Sequence, residues 1–154
     1  TFAKETIYAY ISDGGIQEEI SQGAARIAAV LGLDNLIMFY DSNDIQLSTE
    51  TGEVMNEDTA AKYRALGWEV LEINGNDAAE IRKAIEAAKA VTGKPTLIIG
   101  KCIMGKGALK ADGTSYGQVH MFTIHVLERE SVFHVCSKCT PITKTLLTAL
   151  LQVI

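Results

Sequence analysis

Three short apolar runs constrain this chain more than any other feature: "TIYAYIS" at 6–12, "LIMFY" at 36–40 and "TLIIGKCI" at 96–103. They are rich in β-branched and aromatic residues and do not alternate with polar ones. That is the pattern of strands covered on both faces, as in a parallel sheet. Stretches of helical periodicity lie between them. Ile16, Ile20, Ala24, Ile27, Ala28 and Leu31 recur at helical spacing and predict a helix over 16–31 that packs these residues on the sheet, with Gly32 as its stop. A second helix is expected near 57–66. A third opens at Asp77, where Glu80 completes a capping-box pattern ahead of Ile81, Ala84, Ile85 and Ala88. "WEVLEI" at 68–73 supplies a further strand. The alternation predicts an α/β fold, an open and mostly parallel sheet with flanking helices joined by right-handed crossovers.

The remaining sequence narrows the class. A chain of 154 residues fits one domain with a sizeable core. Its net charge of −5, with no basic cluster, argues against nucleic acid as a partner. It shows neither a charged-then-apolar leader nor an apolar run near the roughly 18 residues of a membrane span. Three cysteines, one of them (Cys102) inside an apparent strand, do not make a disulfide framework. No membrane association and a cytoplasmic location are expected.

Ligands of open α/β sheets gather at the carboxyl ends of the strands. The first strand delivers Ser12, Asp13 and Gly14 to that edge, the second Asp41, Ser42 and Asn43, and the run at 96–103 Gly105, Lys106 and Gly107. Asp13 and Asn43 are oxygen donors of the kind Mg²⁺ takes alongside substrate phosphates. Gly14 and Gly15 precede the helix at 16–31, so its N–H groups and dipole would face the same point. A carboxylate alone would repel a diphosphate, whereas a carboxylate with Mg²⁺ would hold it. Asp-Gly after a strand is also a common turn, and Asp41 or Asn43 could simply cap the next stretch of backbone. The residues by themselves leave both readings open.

The surrounding blocks add a resemblance. "DGGIQEEISQGAARIAAVLGLDNLIMFYDSNDIQL", "YRALGWEVLEINGND", "IRKAIEAAK" and "GKPTLIIGKCIMGKG" resemble, in order and spacing, the diphosphate-binding domain of the transketolase family. Asp-Gly and the later Asn resemble its thiamine diphosphate fingerprint. The resemblance implies a partial thiamine diphosphate-binding fold over 1–117 and a tail over 118–154 that does not match. It implies thiamine diphosphate and Mg²⁺ as cofactors, transfer of a two-carbon ketol unit between sugar phosphates, and a pyrimidine-binding domain of a second subunit as partner. The related alternatives are deoxyxylulose phosphate synthase and a dehydrogenase subunit; from another class, a non-catalytic α/β remnant or interaction module.

Carried over by position, the resemblance makes Asp13, Asn43 and the Ile45 carbonyl the metal ligands. It places Ser12, Asp13, Gly14, Asn43 and Met104 against the cofactor and assigns Glu18 to a carboxylate network between subunits. Asp13 is expected on the ligand edge rather than in the core. Ser12 stands where the fingerprint has a glycine. The family's His-Gly pair is absent, since His120, His125 and His134 are followed by Met, Val and Val. The pyrimidine-binding and C-terminal domains have no counterpart, so the fragment is expected to be inactive alone. All three histidines and two cysteines lie in the tail, where Cys136 and Cys139 lack the second ligand pair of a structural zinc site. A frameshift or truncated gene is the expected origin of that tail, which should be less ordered than 6–117.

Overall fold

The computed structural model describes residues 5–46 and 49–107. The expectations for 118–154 and its histidines and cysteines, and the boundary at 117, lie outside the described residues.

Four strands form one parallel sheet: β1 (Ile7–Ser12), β2 (Leu36–Ser42), β3 (Glu69–Asn74) and β4 (Thr96–Lys101). Their order is β1-β2-β4-β3. The helices are α1 (Asp13–Gln17), α2 (Glu19–Val30), α3 (Thr59–Leu66) and α4 (Ala78–Lys89), with a single 3₁₀ turn at Thr51–Glu53. Right-handed crossovers explain which helix lies where. The chain moves in one direction across the sheet from β1 to β2 to β3, so α2 and α3 share a face. It then reverses to insert β4, and α4 covers the opposite face.

Each face has its own core. Ile16, Ala25, Ala28, Tyr40, Tyr63, Trp68 and Leu97 pack on the first, where the Tyr63 and Trp68 rings meet edge-on at 5.3 Å. The Trp68 indole N–H donates to the Ala25 carbonyl at 2.9 Å and ties α2 to the start of β3. On the second face, Ile81, Ala84, Ile85 and Ala88 of α4 pack against Ile37, Phe39 and Ile98. At Gly100 the Phe39 ring lies so close that a Cβ would overlap it, so the strand needs glycine there.

Four expectations change. The helix over 16–31 is two helices: α1 starts at Asp13 and takes in both glycines, and Glu18, extended at ψ 135°, breaks the chain before α2. The face that α2 buries is Gln22, Ala25 and Ala28, while Ile20 and Ile27 are exposed, as is Leu31 just beyond its end. Small side chains bring this helix close to the sheet, and the break resets its phase. β1 is an edge strand, with Tyr10 and Ile7 more than half exposed, so it is not covered on both faces. Asp77 caps α4 by accepting from the Ala79 and Glu80 N–H groups, but Glu80 reaches the Asn74 N–H rather than that of Asp77. The reciprocal half of a capping box is therefore missing.

Candidate functional site

Parallel register brings the four strand ends together. Ser12 lies beside Asp41, Ser42 beside Lys101, and Asn74 on the other side of Lys101. The Cys102 N–H donates to the Ser42 carbonyl at 2.9 Å and extends the edge one residue past β4. Cys102 is therefore beyond the strand rather than within it.

Asp13 is the centre of this edge. It sits one residue past β1 in the first turn of α1 and is only 1% exposed, so it belongs to the interior rather than to an open rim. The Tyr40 hydroxyl donates to its Oδ1 at 2.6 Å and the Asn43 N–H to its Oδ2 at 3.0 Å. Asn43 is also buried, and its Oδ1 accepts the Ile45 N–H at 3.0 Å. Gln46 and Thr49, and Thr51 and Asp44, supply the hydrogen bonds that flank the Ile45–Glu50 bridge, so the Ile45 carbonyl is not used in it. Asp13, thirty residues before Asn43, is thus joined with Asn43 and Ile45 in one hydrogen-bonded chain.

The donor set suits a hard divalent cation. Each carboxylate or amide oxygen that accepts one N–H or O–H keeps a second lone pair. One carboxylate, one amide oxygen and one backbone carbonyl are the few protein donors Mg²⁺ takes when a phosphate completes its shell. Among the described residues, no group of three or more His, Cys, Asp or Glu is placed to hold a metal.

The other sequence candidates have distinct places. Ser12, extended at φ −100°, caps α1 by accepting the Gly15 N–H at 3.4 Å, so a residue with a side chain fits without strain where the fingerprint has glycine. Gly14 lies within α1, and a Cβ there would meet nothing, which leaves its side of the turn open to a ligand. Glu18 is exposed at the break between α1 and α2, and its side chain caps neither. Met104 is half-buried in the turn after β4, where Gly105 and Gly107 have positive φ.

Sequence reasoning missed three participants. Tyr40 holds Asp13, and burial followed by the Asp13 hydrogen bond pushes its phenol well above the usual range. Tyr10 donates to Asp41 at 2.5 Å from the edge strand. Lys101 pairs with Asp44. These contacts join different strands, and nothing in the local spacing signals them. Burial, with Asp41 beside it, pushes the Cys102 thiol up to about 12. It stays protonated at neutral pH and is no nucleophile.

Two clefts open at this edge. One, of about 490 Å³, is lined by Asp13, Tyr40, Ser42, Asp44, Thr51 and Lys101, among others. The second, of about 560 Å³, lies at the ends of β3 and β4 around Asn74, Asn76 and Cys102. Asp44 and Lys101 line both.

The profile of the transketolase thiamine diphosphate binding domain matches residues 1–125. The chain belongs to the transketolase family. It is similar to the transketolase of Streptococcus pyogenes, with 48% identity over 109 residues, covering 70% of this chain and 15% of that protein. Its fold is similar to the crystal structure of transketolase from Campylobacter jejuni, with a TM-score of 0.67 and 32% identity over 96% of this chain and 25% of that one. A transketolase of Pichia stipitis in complex with sedoheptulose 7-phosphate is similar at a TM-score of 0.66 and 28% identity, covering 95% of this chain and 24% of the other. The chain therefore spans about one sixth of the length of the curated transketolases it matches. Membership decides between the related thiamine-dependent alternatives in favour of transketolase. Among the described residues, no helix is long and apolar enough to cross a membrane.

Proposed function

We propose that this chain is the part of a transketolase that grips the diphosphate of thiamine diphosphate through Mg²⁺, in a protein that moves a two-carbon ketol unit between sugar phosphates. The observation that carries the reading is the buried Asp13 carboxylate, joined through the Asn43 N–H to a second oxygen donor and onward to Ile45. Asp13, Asn43 and the Ile45 carbonyl would hold the metal, and the open side of Gly14 would take the diphosphate in the first turn of α1. When bound, thiamine diphosphate supplies the electron sink for two-carbon transfer.

The chain's own residues have supporting tasks. Tyr40 fixes one oxygen of Asp13 by hydrogen bonding, and its raised phenol stays protonated as a donor at neutral pH. The Asn43 N–H fixes the other, so the carboxylate is oriented before any cation arrives. Ser12 holds the first turn of α1 through Gly15. None of these groups distinguishes ground state from transition state, and uniform grip does not accelerate a reaction. The described residues by themselves are therefore proposed to bind without turnover.

Calorimetry with Mg²⁺ and thiamine diphosphate tests the reading. Asp13→Asn suits the test better than alanine, because it keeps an acceptor for Tyr40 and removes the charge. The parent should bind diphosphate only with Mg²⁺, and Asp13→Asn should weaken that binding at least about tenfold while staying folded. A parent that binds neither would sink the proposal.

A further inference from the structure

Asp44 is the one non-glycine residue with positive φ among the described residues, at 64°. It stands between Asn43 and Ile45, two of the three proposed metal donors. A side chain bearing a Cβ rarely adopts this left-handed conformation, and Asp and Asn tolerate it better than most. The reversal has a local consequence. It turns the backbone so that the Ile45 N–H returns to the Asn43 side chain, and the Asp44 carbonyl accepts the Thr51 N–H at 2.9 Å.

The side chain meets a cation from across the sheet, in an ion pair whose two side chains are both more than half exposed. Lys101, at the end of β4, donates its ammonium to Asp44 Oδ1. Ser42 and Lys101 are register partners, so this pair lies at the ends of β2 and β4, and both its residues line the two clefts. It also sets a cation against a carboxylate that would otherwise stand uncompensated beside a site for a diphosphate.

We propose that Asp44 is a positioning residue for the divalent cation: its left-handed backbone, beside the Lys101 ion pair, holds Asn43 and Ile45 in the arrangement recorded by the Asn43 N–H bond to Asp13 and the Ile45 N–H bond to Asn43. The inference rests on the reading of this edge as a Mg²⁺–diphosphate site. Asp44 touches neither metal nor diphosphate in this role; it sets where the donors stand.

The experiment compares the full chain with Asp44→Asn, Asp44→Val and Lys101→Met. Amide exchange at Asn43 and Ile45 is read without ligand, and Mg²⁺-dependent thiamine diphosphate binding is read by calorimetry. Asp44→Asn tolerates the left-handed backbone and should stay within about threefold of the parent in both. Asp44→Val cannot adopt it without strain and should speed exchange at both amides, and weaken Mg²⁺-dependent binding, by about tenfold or more. Lys101→Met should shift both readouts the same way by a smaller factor. If Asp44→Val does not fold, Asp44→Ala takes its place with the same expected direction. Parent-like exchange at both amides in the Val or Ala variant overturns the inference. So does parent-like binding there when the parent binds. A parent that binds nothing defeats the reading of the site, and exchange at the two amides then decides the positioning claim by itself.

Discussion

α2 and α4 are each twelve residues long and each carries an apolar stripe, yet the structure treats them in opposite ways. In α4 the stripe read from the sequence is the stripe that is buried: Ile81, Ala84, Ile85 and Ala88. In α2 the large apolar residues face out, with Ile20 83% and Ile27 62% exposed, and the contact with the sheet is made by Gln22, Ala25 and Ala28. The difference is one of tethering. Asp77 starts α4 directly from the end of β3, so its phase is set by one cap. α2 begins after a break at Glu18 and is held by Trp68 to the Ala25 carbonyl and by the Gln22 amide to the Ile16 carbonyl. Those polar ties choose which face approaches the sheet. Amphipathicity says that a helix has an apolar face; it does not say what will cover it.

The sharpest way to break this comparison is a matched pair of truncations. Ile81→Ala removes a fully buried side chain and should destabilise the chain by about 2–5 kcal/mol, whereas Ile27→Ala should stay within about 0.5 kcal/mol. Urea unfolding of both variants measures the contrast. Equal losses would mean that the outer face of α2 is covered in solution. Trp68→Phe comes next. It keeps most of the aromatic packing but leaves the Ala25 carbonyl without its indole donor, and should cost about 1–3 kcal/mol. Exchange in α2 should quicken more than in α4; equal quickening would refute the tether. The smallest effect belongs to the cap that starts α1. Ser12→Ala should cost about 0.5–1 kcal/mol and Ser12→Gly only a few tenths, measured by thermal unfolding. A larger loss for glycine than for alanine would show that the Ser12 hydroxyl is not the cap.

Much of the fold was legible because short-range patterns decide it. The four apolar runs became the four strands, and the helix after Asp77 buried its expected face, since apolar residues at strand or helix period have few ways to leave water. The edge carrying Asp13 and Asn43 was legible for a similar reason: in a parallel sheet the strand ends must share one side. Strand order was not legible. Nothing in "WEVLEI" or "TLIIGKCI" says that β4 inserts between β2 and β3, and β1 read as covered on both faces when, among the described residues, it is a half-exposed edge. Among the described residues, the sequence determined which side chains are chemically able to hold a cation and at which end of the sheet they would lie. Only the tertiary structure decided that Asp13 is buried, that Tyr40 and the Asn43 N–H orient it, and that Lys101 reaches Asp44. Those contacts join residues at the ends of different elements, and their formation depends on register and strand order, which local propensity does not encode.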